Sequence, residues 1–374
     1  MHVLYSLLMI FTAFLMLALG IILARTDHPI ASFIAALYYR LRVSTHPIFH
    51  TISPIDSLTN PDELIRRIHS PFDLLSLRDS LIHFLWGREK LADLMPDSIM
   101  KDWRDEEWSH IEEIRRIDKI IVRMDFGIES NIYHFINRSN NGQVMIFHAG
   151  HEGSFTIHKA AITKLLEGGC DVLAFCMPLH GINNQPVVKI EHVGYIKLIS
   201  HNSMEFLELE QGHPIRYFIE PVISAINYIE KKYRYDRICM MGLSGGGWTT
   251  VLSAAIDPRI KLSFSVAGSL PLHLSIARRD FEQIDARMYR KFNYLELYLM
   301  ASYGEGRKHF QINYLYDPCC FYGMSALTYK HALEKRLRTL GSGEYELIIE
   351  KEHYMHSFSE ETVNKVLTEL RDRH

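Results

Sequence analysis

Four glycines crowd one serine in the stretch MMGLSGGGWTT, Met240–Thr250: Gly242, Gly245, Gly246 and Gly247 surround Ser244. Glycine loses more conformational freedom on folding than any other residue, so such a run marks a place where backbone must pass close to backbone. The preceding DRICMMGL is a short apolar run, as a buried strand is, and the following WTTVLSAAI continues as an apolar helix. A strand that turns at once into a helix strains its turn residue and leaves no room for Cβ atoms on either side. The G-x-S-x-G pattern therefore predicts a sharp strand-to-helix turn that lifts the Ser244 hydroxyl above a sheet, at the positive end of a helix.

The surroundings suit such a sheet. From residue 117 onward, short β-branched runs alternate with helical stretches. DKIIVRMDF, NIYHFIN, GQVMIFHAG, DVLAFCMPLHG, DRICMMGLS, IKLSFSVAGS, FQINYLYD and YELIIEKEH read as eight strands. Alternation with near-continuous apolar strands predicts an α/β domain over 117–374, a mostly parallel eight-stranded sheet with helices on both faces. Two long connections, near 181–213 and 270–308, leave from carboxyl ends of strands, where open parallel sheets bind ligands. They are candidates for a lid.

Residues 26–116 read as a helical N-terminal extension punctuated by Pro47, Pro54, Pro61, Pro71 and Pro96. KDWRDEEWSHIEEIRRI looks like a charged surface helix carrying Trp103 and Trp108. Before it, Val3 to Ala24 carries no charge and is long enough to span about 30 Å of hydrocarbon at about 1.5 Å per residue. No Lys or Arg precedes this run, as one would in a cleaved signal segment. The expectation is an uncleaved single-pass membrane anchor over 1–25. Arg25, Arg40 and Arg42 follow it, which places the body in the cytoplasm by the positive-inside rule.

Composition removes other classes. With 47% hydrophobic and 23% charged residues the chain is ordinary globular material. A formal net charge of −3 gives no basic footprint for nucleic acid. Five cysteines without paired spacing make no disulfide framework and no zinc motif. Cys176 and Cys239 lie in apolar runs, whereas the adjacent Cys319 and Cys320 form a candidate reactive or linked pair.

A serine hydroxyl needs a base, and the base needs an orienting group. In this arrangement the acid and then the histidine follow the serine along the chain. The sixth strand's exit, SVAGSLP, holds no carboxylate. The seventh ends in NYLYDPCCF, which offers Asp317; Asp280 and Asp285 in the second insertion are weaker rivals. After the last strand, HYMHSFSEET offers His353 and His356, and position favours His356. Oxyanion donors are expected from the backbone N–H of Gly245 and, in the loop HAGHEGS, that of His151, with Gly150 close behind. His148, His151 and Glu152 in that loop are an alternative metal set. Their spacing is not H-E-x-x-H, and no metal or other cofactor is expected. Trp248 is read as packing under the elbow rather than lining an acyl pocket.

On GLSGGG, HAGHEGS, YLYDP and HYMHSFS the segment 117–374 resembles the α/β-hydrolase superfamily, and within it dienelactone-hydrolase-like and esterase or prolyl-oligopeptidase-like members. The third strand ends in HAG where many members carry His-Gly directly. The resemblance implies an α/β-hydrolase fold and a cofactor-free acyl-enzyme mechanism. Ser244 attacks a carbonyl, His356 shuttles the proton and Asp317 holds the imidazole. The expected substrate is a small-molecule or lipid-like carboxylic ester or thioester. A peptidase or acyltransferase on the same triad, or a non-catalytic scaffold, are the alternatives.

Overall fold

Strand pairing here follows from connection length. Short turns join strands antiparallel, and parallel neighbours need a long crossover. The computed structural model describes residues 46–88, 91, 93–274 and 280–372. Its strands are β1 (Ser98–Met100), β2 (Ile114–Arg123), β3 (Glu129–Asn137), β4 (Gln143–His148), β5 (Asp171–Phe175), β6 (Val187–Ile190), β7 (Gly194–Lys197), β8 (Arg237–Leu243), β9 (Ile260–Val266), β10 (Lys308–Tyr314) and β11 (Glu344–Glu350). Nine of them form one sheet in the order β1-β2-β3-β5-β4-β8-β9-β10-β11, and β6 and β7 form a separate hairpin.

This corrects the expected eight-stranded, mostly parallel sheet. The eight strands read from the sequence are present, but the sheet has nine strands and is mixed. The pairs β1/β2, β2/β3 and β3/β5 are antiparallel, while β5, β4, β8, β9, β10 and β11 run parallel. The turn from β2 to β3 is too short for a crossover: Phe126 and Gly127 both have positive φ in a single turn. The ninth strand, β1, lies within the stretch expected to be helical and pairs with β2, Ser98 opposite Ile121.

The longer helices are α1 (Pro71–Trp86), α2 (Lys159–Glu167), α3 (Arg216–Lys232), α4 (Gly245–Ile256), α5 (Tyr294–Ser302), α6 (Leu327–Leu340) and α7 (Glu360–Arg371); α2 to α6 make the crossovers, α1 precedes the sheet and α7 follows it. Helices α2 and α7 pack together; α1, α3, α4, α5 and α6 form a second contacting group centred on α4 and α5. Helix α1 starts where the sequence says it should. Ser70 and Asp73 form a capping box, Pro71 takes the first position, and Gly87 closes the helix in the left-handed conformation. Its Leu74, Leu81 and Leu85 enter the main core.

Two buried guanidinium groups then tie helix ends together. Arg78 of α1 donates to Ala255 O (2.7 Å) and Met300 O (2.9 Å). Arg307 donates to Ile260 O, Met300 O, Tyr303 O and Ala254 O. These carbonyls include the last-turn acceptors of α4 and α5, where the helix dipole favours a cation. Burial, with Arg78 nearby, still pulls the Arg307 guanidinium down to about 9.

Two further expectations change. The charged run 101–117 is not a surface helix. It forms a short 3-10 turn, Glu106–Trp108, and then enters β2. Trp108 is 1% exposed and packs on Phe135 and Phe155. Charge at most positions hid the apolar residues that pack, Trp108 deepest among them. The membrane-spanning anchor is likewise not borne out: no helix among the described residues is long and apolar enough to cross a membrane. The run Val3–Ala24 lies outside the described residues. The single-pass localisation, the membrane as a partner and the cytoplasmic placement rested on that anchor and are not supported by the described residues.

Replacing Trp108 by alanine is expected to cost about 3–5 kcal/mol, the usual range for a fully buried tryptophan. Urea unfolding measures this, and a loss below 1 kcal/mol would place Trp108 outside the core.

Candidate active site

The turn after β8 has the geometry the glycines implied. Ser244 sits at φ 55°, ψ −122°, a conformation that is strained for any residue with a side chain. Its N–H donates to Val266 O of β9 (2.9 Å), and its carbonyl accepts from Trp248 N (3.0 Å), starting α4. A Cβ on Gly242 would fall 2.2 Å from Gly246 O, and one on Gly246 would fall 2.2 Å from His148 O. Both contacts are backbone against backbone, so nothing can yield. Helix α4 is buried along its whole length. Trp248 is buried too, donating to Tyr289 Oη (2.7 Å) and meeting Phe218 edge-on.

The acid and base positions meet beyond the ends of two adjacent parallel strands. Asp317 follows β10 and His356 follows β11. His356 Nδ1 lies 2.8 Å from Asp317 Oδ2. Asp317 is 1% exposed, and its Oδ1 accepts from Cys319 N (2.7 Å) and Cys320 N (3.2 Å). Both oxygens of this carboxylate are thus engaged. The other ring nitrogen, His356 Nε2, is buried and has no hydrogen-bond partner among the described residues. Ser244 stands at the end of β8, in the same row of strand ends.

The rivals are committed elsewhere. His353 Nε2 bonds Ser357 O (3.0 Å), its ring meets Tyr314 edge-on, and burial lowers its pKa. Asp280 and Asp285 both sit at starts of short helices. Burial would raise the Asp285 carboxyl, but His213 and the Met288 N–H bring it down to about 2.

The loop after β4 lies against the elbow. A Cβ on Gly150 would approach Ser244 Cβ at 2.8 Å, and one on Gly245 would meet His151 Nδ1 and Cε1 at 2.7 Å. Gly245 and His151 are therefore neighbours beside Ser244. The structure does not assemble His148, His151 and Glu152 into one ligand set. His148 Nδ1 faces Ala149 O (2.8 Å), and burial lowers its pKa to about 4. Glu152 accepts from Gly150 N (2.8 Å) and lies 2.6 Å from His158 Nε2.

Among the described residues, two other groups bring metal-ligating atoms together: Cys319, Cys320 and His356, and His151, His201 and Glu282. Cys319 and Cys320 are joined as a disulfide, while Cys170, Cys176 and Cys239 are free and buried. His201 and Glu282 come one from each insertion. No local spacing marks them, because only the fold brings them together. A cleft of about 1010 Å³ lies at the opposite end of the strands, among Arg237, Lys261, Arg307 and Lys308, away from Ser244.

No family model matches the sequence, and no curated protein is significantly similar to it. Solved structures do resemble the fold. Acetyl xylan esterase 1 from Thermoanaerobacterium sp. JW/SL YS485 superposes with a TM-score of 0.54 at 13% identity, over 83% of this chain and 97% of its own. The acetyl xylan esterase from Paenibacillus sp. R4 gives 0.52 at 14%, over 83% and 99%. The glucuronoyl esterase from Solibacter usitatus gives 0.54 at 12%, over 80% and 92%. At these identities the likeness establishes an α/β-hydrolase-like fold.

The close approach at Gly246 makes a direct prediction. Gly246→Ala must push α4 off the β4 loop, so folded yield falls or the melting temperature drops. A variant with wild-type yield and melting temperature would show that the elbow tolerates a Cβ.

Proposed function

We propose that the chain is a serine hydrolase that cleaves a carboxylic ester or thioester through an acyl-enzyme, with 117–374 as the catalytic unit. The observation that carries this reading is the Asp317–His356 pair, 2.8 Å apart, with His356 Nε2 unengaged, in the row of strand ends that also holds the strained Ser244.

In this reading Asp317 fixes the imidazole with hydrogen on Nδ1 and the lone pair on Nε2. His356 Nε2 takes the Ser244 Oγ proton as Oγ bonds to the substrate carbonyl carbon. The resulting oxyanion is stabilised by the N–H groups of Gly245 and His151. His356 then gives the proton to the departing alcohol or thiol, and the carbonyl–heteroatom bond breaks. Water, deprotonated by the same nitrogen, releases the acid and restores Ser244. Peptidase and acyltransferase readings use the same atoms. The esterase names of the structural neighbours favour an ester over an amide. A scaffold reading would leave the strained Ser244 backbone, of order 1–3 kcal/mol, without a use.

The test is labelling of the full chain by a fluorophosphonate probe, with the adduct mapped by mass spectrometry. Labelling is expected at Ser244, absent in Ser244→Ala and in His356→Ala, and retained in a folded His353→Ala variant. Asp317→Asn should retain the fold but lower kcat by about 10⁴, since an amide favours the wrong imidazole tautomer. A Ser244→Ala variant with a tenth of wild-type turnover would overturn the mechanism, and a folded wild type that never labels would favour the scaffold.

A further inference from the structure

Beside the elbow, three side chains from three separate segments converge on one point. His151 comes from the loop after β4, His201 from the first insertion and Glu282 from the second. His151 Nε2 is 3.1 Å from His201 Nδ1 and 3.1 Å from Glu282 Oε1, and His201 Nδ1 is 3.2 Å from Glu282 Oε2. We propose that these three residues bind one divalent transition-metal ion of the zinc class, which fastens both insertions to the loop beside Ser244.

Spacing is the first argument. Ligand atoms about 2.0–2.1 Å from a tetrahedral ion stand about 3.3 Å from one another. Each of the three separations is close to that value, with Glu282 offering Oε1 to His151 and Oε2 to His201. Two imidazoles and a carboxylate suit zinc-class ions, and three protein ligands leave a fourth position for water or substrate.

The state of Glu282 is the second argument. Its carboxylate is 0% exposed. Neither oxygen makes a hydrogen bond among the described residues, although each stands within about 3.2 Å of an imidazole nitrogen. An ionised carboxylate so placed is costly unless a cation meets it. Protonating both imidazoles would set two positive rings with nitrogens 3.1 Å apart. A dication with two neutral imidazoles answers the carboxylate without that repulsion.

The surroundings are built to hold these ligands. His201 Nε2 lies 2.8 Å from Pro178 O, so Nε2 carries the hydrogen and Nδ1 presents its lone pair to the cluster. That is the outer hydrogen bond that orients metal-bound histidines. Phe218 meets the His201 ring edge-on. Phe281 N donates to Asn202 Oδ1 (2.9 Å), and Tyr289 Oη donates to Glu282 O (2.9 Å). The two insertions are thus docked on each other with their ligands facing inward.

The test is zinc titration of the chelator-treated full chain by calorimetry, with elemental analysis and the visible spectrum of the cobalt(II) form. We expect one ion per chain and tetrahedral cobalt bands. Outer-shell partners cost 10–100-fold in affinity, so Glu282→Gln and His201→Ala should each weaken zinc by more than about 100-fold. Zinc should raise the melting temperature of the wild type and leave that of Glu282→Gln unchanged. If Glu282→Gln does not fold, His201→Ala decides. Cys319→Ser/Cys320→Ser should bind zinc like the wild type; loss there would move the ion to the other cluster and overturn the assignment. So would a folded wild type that takes up no zinc, or variants that bind it normally, leaving a proton-shared His–Glu network. Labelling of Ser244 is read separately, so neither result decides the other.

Discussion

Everything at the carboxyl ends of the strands depends on how closely the start of α4 approaches its neighbours. The helix begins where the ends of β4, β8 and β9 meet, and it is seated by bare backbone: Gly246 against the His148 carbonyl and Gly247 against Gly268. That seating fixes the direction of Ser244 and brings the β4 loop alongside, so Gly150 and His151 stand beside the serine. A side chain at these contacts would separate the helix from the sheet and the loop from the serine together. The buried guanidinium groups of Arg78 and Arg307 act at the other end of the same helix, binding its final carbonyls. Helix α4 is thus held at both ends by contacts that allow little play, which suits a side chain that must be placed to within a fraction of an ångström.

The Asp317–His356 pair relies on a different kind of support. Asp317 is buried, so its charge must be balanced locally. Two backbone N–H groups of the following turn take one oxygen and the imidazole takes the other. Both carboxylate oxygens are engaged, so the group cannot turn without breaking a bond. Positioning comes from satisfied hydrogen bonds at this end of the site and from steric exclusion at the elbow.

Much of this was legible in the sequence because its causes are local. Apolar runs of strand length bracketed by turn residues located eight strands, and the glycines around Ser244 announced a backbone contact. Chain order then led to Asp317 and His356. What stayed hidden has causes that span the fold. β1 is three residues long and becomes a strand only because β2 offers it an edge. Trp108 sits in a charged run whose periodicity says helix, and its burial is decided by Phe135 and Phe155. The antiparallel join between the two parts of the sheet follows from where β5 inserts, between β3 and β4, which no spacing reveals. His201 and Glu282 carry no motif at all. Their meeting with His151 depends on how two insertions fold back over the strand ends.

The two borders of the nine-stranded sheet have a consequence for how the molecule behaves in a crowded solution. A free strand border is a template on which another chain can add itself. One border here is β1, only three residues long. The other is β11, which begins with Glu344 and Glu346; Glu346 is held by Lys308 and Lys365. A foreign strand finds too short a ladder at one side and charged side chains at the start of the other. So large a sheet can therefore remain a single molecule's sheet, with its growth stopped at both ends by the chain's own choice of residues.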